Sequence, residues 1–261
     1  MNFEGVGSQL AEITNPKWKK SKMIHLAKDT ELNQVKDSFN KLILDDPESK
    51  MELAINKDME RIIAYLAGAS GSGKSFAASK IIEKYHKAYP KNPVFVFSSV
   101  DEDKAFDKFK FINRIKLDEL LTEDLDINDL ANSMVIMDDI DSISNKKIKD
   151  KVLNIANEGL QRGRHSKTSM IFTNHILCDG RQTRHILNEA HSITIFPKSA
   201  NSRNLDYLLG SYIGLSKPEI QYVKQMDTRP CTIIKTYPQV LLGDQEITFT
   251  KDILTPTNET R

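Results

Sequence analysis

Residues 68–75 read GASGSGKS, in which Gly68, Gly73, Lys74 and Ser75 fit the spacing G-x-x-x-x-G-K-[ST]. Glycines at these positions let a backbone turn tightly and aim successive N–H groups at a β-phosphate. In such a loop Lys74 reaches the β- and γ-phosphates and the Ser75 hydroxyl sits on Mg²⁺. Ala69, Ser70, Gly71 and Ser72 complete the loop, and Phe76 follows it as a further candidate nucleotide contact. A second stretch, MVIMDDID at 134–141, is a hydrophobic run that ends in acids. Strands of open α/β sheets present their carboxyl ends to the ligand crevice, so Asp138 is the candidate Mg²⁺ ligand and Asp139 the carboxylate that polarises an attacking water. The competing reading of Asp139 is a turn-capping acid.

A third stretch, LQRGRHSKTSMIFTNH at 160–175, carries two arginines before an apolar run and an amide after it. Asn174 is placed to hydrogen-bond a γ-phosphate or the water. Arg162 or Arg164 can serve as a finger reaching a neighbouring subunit's nucleotide, a contribution of about three to five orders of magnitude in rate where it operates. The alternative is a pair of surface arginines in a basic loop. A guanine-reading Asn-Lys-x-Asp is absent, because NKKI at 145–148 has Ile in the acidic position. ATP with Mg²⁺ is therefore the expected ligand pair. No arginine-rich lid of a small-molecule kinase is evident. The histidines 165, 175, 185 and 191 look scattered rather than paired on one face, which disfavours metal ligation by them.

These residues need strands and helices to hold them. RIIAYLA at 61–67 is a strand-length apolar run, and Ala77, Ile81, Tyr85 and Ala88 recur at helical spacing after the loop, with Pro90 closing the segment. Strand, glycine loop and helix form the setting that the phosphate motif requires. NPVFVFSS (92–99), SMVIMDDID (133–141), TSMIFTN (168–174) and SITIFP (192–197) read as further strands, with a helix over about 146–160 and a charged stretch containing FINRIKL before 130. Strands alternating with helices predict an α/β fold with a mainly parallel central sheet flanked by helices. After Pro197, helices near 201–212 and 216–226 precede CTIIKT, QVLLG and EITFT, which read as antiparallel edge strands. At the other end, residues 1–27 read as an irregular arm and 30–44 as a helix with a Leu32, Val35, Phe39, Leu42, Ile43 stripe and Thr30 as N-cap. MELAIN (51–56) then leads into the loop-bearing strand. The expected division is an N-terminal arm and helix over 1–50, an ATPase core with its C-terminal strands over 51–250, and a tail over 251–261.

The chain has 261 residues with 39% hydrophobic and 28% charged content, which describes a globular chain with no membrane-length apolar run and no signal peptide. Its two cysteines indicate no disulfide framework and a reducing compartment. The net charge of +1 is uneven: residues 1–141 hold 20 Lys/Arg against 25 Asp/Glu, and residues 142–261 hold 17 against 11. A basic C-terminal half permits a nucleic-acid partner without requiring one. Within it, Lys146, Lys147 and Lys149 of NKKIKDK are the candidate DNA contacts.

The combination of the phosphate loop, the Asp-Asp strand end and GRHSKTSMIFTNH, together with FPKSANSRNLDYLLGSYIGLS and IIKTYPQVLL, resembles the FtsK/HerA superfamily of P-loop ATPases. Within it the chain is most similar to the genome-packaging ATPases of large DNA viruses and virophages, the group containing the poxvirus packaging ATPase. The resemblance implies a P-loop fold of the additional-strand type with strand order 5-1-4-3-2. It also implies a homo-oligomeric ring, commonly of five or six subunits, and ATP-driven translocation of double-stranded DNA into a capsid. A capsid or portal-like viral protein is the implied partner, and the host cytoplasm or viral factory, with association with the virion, the implied location. Carried over by motif, Lys74 and Ser75 hold phosphate and Mg²⁺, Asp138 is the metal ligand, Asp139 the base, and Asn174 stands where relatives often have a glutamine sensor. Arg164, within GRH, is the better finger, with Arg162 behind it. Asp139 stands where many relatives have Glu, one methylene longer, and no separate nuclease domain is seen. A cellular or conjugative DNA pump of the same superfamily and an ATP-dependent protein switch or assembly factor are the other readings.

Overall fold

The computed structural model describes residues 1–55, 57–100, 102–180 and 183–254. The chain forms two compact units, one of Met1–Asp58 with Thr194–Arg261 and one of Met59–Ile193.

The first unit begins with β1 (Ser8–Thr14) and β2 (Lys22–Leu26), an antiparallel hairpin. A short strand β3 (Lys41–Ile43) follows, then β4 (Lys50–Leu53), which pairs antiparallel with the other edge of β1. This overturns the expected arm and helix. Residues Asp29–Gln34 make only a 3₁₀ turn, and Leu32 of the supposed apolar stripe is 53% exposed. The helical spacing was a coincidence of two unrelated segments. Residues 50–53 do not run into the loop-bearing strand but close the small sheet around β1.

The second unit holds the phosphate motif. Its elements in order are β5 (Ile63–Ala67), α1 (Lys74–Ala88), β6 (Val94–Ser98), α2 (Lys104–Asp107), β7 (Ile112–Arg114), β8 (Met134–Asp138), α3 (Lys146–Arg162), β9 (Ser169–Asn174) and α4 (Arg184–Glu189). The strands lie in the order β5-β9-β8-β6-β7, all parallel. β7 falls inside the charged FINRIKL stretch, where no strand was expected. It is three residues long and half-exposed, an edge too short to show a period. All residues of β5, β8 and β9 are buried, as strands of a sheet covered on both faces must be. Each fully buried aliphatic side chain there contributes about 1.5–3 kcal/mol. α3 lays Ile148, Val152, Ile155, Ala156 and Leu160 inward. Its Gly159 sits so close to the sheet that a Cβ would lie 2.4 Å from Met170 Sδ.

The chain passes back to the first unit within β10 (Ser192–Ile195) and continues through α5 (Ser202–Tyr207), α6 (Lys217–Gln225), β11 (Cys231–Ile234), β12 (Val240–Leu242) and β13 (Glu246–Phe249). The last three strands form the expected antiparallel set, in the order β11-β12-β13 with β3 beyond β13. Ile13, Ile24, Met51, Val240 and Ile247 are among the side chains of this unit's own core. Residues Thr250–Asp252 form a 3₁₀ turn, and most of the expected tail, 255–261, lies outside the described residues. Among the described residues no helix is long and apolar enough to cross a membrane.

Candidate active site

Parallel register brings the candidate residues to one end of the second unit's sheet. Ala67, just before the loop, is paired with Asn174, Asp138 with Thr173, and Ser98 with Asp138. Four strands therefore end side by side, and the loop rises from one of them. Gly68 N–H donates to Asn174 O at 3.1 Å, tying the start of the loop to the end of β9. Gly71 and Gly73 have φ of +72° and +114°, a left-handed backbone that glycine adopts without a Cβ penalty. Gly73 is the N-cap of α1, so the loop delivers its chain into a helix N-terminus. Ser75 is half-buried in the first turn, Ala69, Ser70 and Gly71 are exposed, Ser72 is buried, and Phe76 is 62% exposed.

Lys74 is buried. Its ammonium donates to Gly68 O at 3.0 Å and Ala69 O at 3.4 Å, and stands 3.2 Å from His175 Nδ1. Burial pulls its pKa below the ordinary lysine value, opposed by the charges of Asp139 and Asp138.

The two acids differ in their surroundings. Asp138 is buried at the end of β8 and accepts from the hydroxyls of Ser98 (2.9 Å, to Oδ2) and Thr173 (2.6 Å, to Oδ1). Asp139 is the next residue, in the left-handed region at φ +43°, a conformation that Asp tolerates better than most. Its N–H donates to Thr173 O (3.1 Å) and lies 3.2 Å from the Thr173 hydroxyl. This kink points the two side chains differently. Asp139 Oδ2 is 2.9 Å from His175 Nε2, whereas Oδ1 is buried with no hydrogen-bond partner among the described residues. Burial raises the Asp139 pKa, Lys74 opposes the rise, and Asp138 adds to it.

Asn174 is buried beside this pair. Its Nδ2 faces the Tyr65 hydroxyl at 3.4 Å, and its Oδ1 is a second buried acceptor without a partner among the described residues. The Tyr65 hydroxyl donates to Ile176 O (2.8 Å), which anchors the chain just beyond His175. Burial raises the Tyr65 pKa, so the phenol stays a donor. Ser98 and Tyr65 were not singled out by the sequence reading, and His175 was named only among four scattered histidines. For Ser98 the visible signal was a hydroxyl at the carboxyl end of a strand. For His175 it was the position directly after Asn174.

The remaining candidates stand apart from this cluster. Arg162 is the exposed last residue of α3. Arg164 is exposed in the turn before β9 and pairs through Nε with Glu60 Oε2 at 2.5 Å. Glu60 precedes β5 as Arg164 precedes β9, so the pair lies at the amino ends of the strands, opposite the phosphate loop. Arg61, beside it, donates to Gly159 O (2.6 Å) and Leu160 O (2.8 Å) and satisfies the C-terminal carbonyls of α3. Lys146 and Lys147 are exposed in the first turn of α3, capped by the Asn145 side chain, while Lys149 donates to Asp141 O at 2.7 Å.

A parallel sheet with a glycine loop running from strand into helix, and an acid pair at the end of a strand two places along, is the arrangement of a P-loop NTPase. No family model matches the chain. It is 40% identical over 202 residues to uncharacterized protein V3 of the Sputnik virophage, a match spanning 76% of this chain and 80% of V3. The chain belongs to the family of that virophage protein. In structure it is similar to the genome packaging NTPase B204 from Sulfolobus turreted icosahedral virus 2 in complex with AMPPCP, with a TM-score of 0.50 and 16% identity over 70% of this chain and 98% of B204. It is equally similar to B204, the DNA-packaging ATPase from Sulfolobus turreted icosahedral virus, with a TM-score of 0.50 and 14% identity over the same shares. At these identities the likeness is one of fold.

Proposed function

We propose that the chain is an oligomeric ATPase that translocates double-stranded DNA and packages a viral genome into a capsid. The observation that carries the reading is the acid pair of β8 beside the phosphate loop, one acid held by two hydroxyls and the other keeping a buried oxygen with no partner among the described residues. Asp139 Oδ1 and Asn174 Oδ1 are both acceptors, so what completes them is a donor; water is the donor that hydrolysis needs, whereas a phosphate oxygen is not. The residues also fit Mg²⁺: the two hydroxyls use only part of the Asp138 carboxylate's acceptor capacity, and the Ser75 hydroxyl stands at the head of α1. When bound, the ion neutralises charge on the transferring phosphate.

In this reading Gly68–Ser75 wrap the phosphates, Phe76 borders them, Lys74 reaches the β/γ-phosphate oxygens, and Ser75 and Asp138 hold Mg²⁺. Asp139 accepts the proton of the attacking water and Asn174 orients it. Arg164, with Arg162 behind it, completes the site of the next subunit in a ring of five or six. Lys146 and Lys147, with Lys149 in support, contact DNA phosphates. The parallel run β5-β9-β8-β6 supports reading these strands as 1-4-3-2 of the additional-strand order. The kinship with a virophage protein supports a viral factory or host cytoplasm as the setting, and a capsid or portal-like protein as the docking partner.

The test is ATP turnover with and without duplex DNA. A DNA-stimulated, sequence-independent and salt-sensitive rate is expected. A rate indifferent to DNA but raised by a protein partner would favour an assembly factor.

A further inference from the structure

We propose that His175 is a positioning residue for hydrolysis: its imidazole holds the Asp139 carboxylate in working orientation and, before nucleotide binds, restrains Lys74. The inference rests on the reading of Asp139 as the carboxylate that activates water.

The hydrogen-bond chemistry fixes the direction of the chain of contacts. A lysine ammonium has three donors and no acceptor. His175 Nδ1, 3.2 Å from Lys74 Nζ, must therefore accept. A neutral ring that accepts at Nδ1 carries its proton on Nε2, and that atom lies 2.9 Å from Asp139 Oδ2, where it donates. One ring thus links the phosphate-binding cation to the water-activating carboxylate. With Gly68 O and Ala69 O, the imidazole is the third partner of Lys74, so all three donors are engaged. A phosphate oxygen gains Lys74 only by replacing one of them, and the imidazole is the one partner outside the loop. The ring keeps its Nε2–H bond to Asp139 when Lys74 leaves.

The same geometry answers the short side chain of Asp139. Its backbone is held by Thr173 O and kinked at φ +43°. With Oδ2 tied to His175, the carboxylate cannot rotate freely, and Oδ1 remains the oxygen with no hydrogen-bond partner among the described residues. The backbone that carries the ring is anchored one residue on, where the Tyr65 hydroxyl donates to Ile176 O. The His175 side chain is 49% exposed, so little packing is lost when it is truncated.

The experiment uses the full chain with Mg²⁺ and compares His175→Ala, His175→Gln, Asp139→Asn and the double variant Asp139→Asn/His175→Ala. His175→Ala is expected to lower kcat about 10- to 100-fold, by analogy with the cost of removing a residue that orients a metal ligand. Its KM, and its affinity for a non-hydrolysable ATP analogue measured by calorimetry, should be unchanged or tighter because Lys74 is released. His175→Gln restores part of kcat, since an amide can both donate and accept. In the Asp139→Asn background the loss of His175 adds nothing further, the non-additivity of residues acting as a unit. The imidazole nitrogens of His175, read by NMR in nucleotide-free protein, should show Nε2 protonated and Nδ1 accepting, with the Nδ1 signal moving when the analogue binds. Wild-type kcat in His175→Ala, an equal further loss in the Asp139→Asn background, or loss of analogue affinity in step with kcat would each overturn the proposal. Full activity of Asp139→Asn alone would instead overturn the assignment of Asp139 on which it stands.

Discussion

Thr173 and Asp138 face each other across two parallel strands, and the threonine hydroxyl donates to Asp138 Oδ1 at 2.6 Å. The carboxylate is buried, so this bond is both structural and functional. Thr173→Val keeps the shape and removes the donor. It should destabilise the protein by about 1.5–3 kcal/mol, the range for a hydrogen bond to a charged group. It should also raise the Mg²⁺ concentration needed for half-maximal turnover. Denaturant unfolding and a Mg²⁺ titration of the ATPase rate check the two effects.

Asp139→Asn should separate binding from chemistry. The amide keeps size and hydrogen bonding but cannot accept the water's proton. Because burial disfavours the ionised carboxylate, removing the charge should leave the fold no less stable. Expected are near-normal affinity for an ATP analogue, very slow hydrolysis and an unchanged or higher Tm.

Lys74→Ala should abolish both ATP binding and turnover, because the variant has no flexible cation between loop and acid pair. Calorimetry with the ATP analogue and single-turnover hydrolysis check this.

Arg164 pairs with Glu60 at the amino ends of the strands. The phosphate loop lies at their other end, roughly six residues away at about 3.3 Å each. Under the proposed function Arg164 serves a neighbouring subunit's nucleotide rather than its own, once the exposed pair with Glu60 opens. Arg164→Ala should bind ATP and hydrolyse it poorly, and mixing it with Lys74→Ala protein should restore part of the rate. Co-assembled mixtures that show no recovery would limit Arg164 to a structural role. Arg162→Ala should be milder.

Lysines in the first turn of α3 oppose the helix dipole, which favours acids there. Lys146→Glu and Lys147→Glu should each raise stability by about 0.3–1 kcal/mol. The same changes should weaken DNA binding and lower its salt dependence by about one unit of slope per lysine. Opposite signs in unfolding and DNA titration would mark residues kept for a partner rather than for the fold.

The parts of the site that lie in continuous sequence were legible before the structure. The strand, loop and helix around Gly68–Ser75 and the strand ends that carry Asp138 and Asn174 follow from residue type and apolar runs. His175 was not legible, because its role depends on the register that places Asn174 opposite Ala67 and so brings the next residue over the loop lysine. Ser98 depends likewise on its pairing with Asp138. In the first unit, β3 forms by pairing with β13, about 200 residues further on, and no local period announces such a strand. The hairpin β1–β2 was obscured by a register shift between Gln9 and Ala11, which breaks the alternation that marks a half-buried strand.

Under the proposed function, ATP hydrolysis at Asp138–Asp139 moves the protein along duplex DNA. The most direct measurement is displacement of a third strand annealed to a DNA duplex, followed with wild-type protein, Mg²⁺ and ATP. Displacement that requires hydrolysable ATP, proceeds irrespective of duplex sequence and disappears in Asp139→Asn is the predicted result. ATP hydrolysis at full rate with the third strand left in place, under conditions where the protein is bound to the duplex, would contradict it.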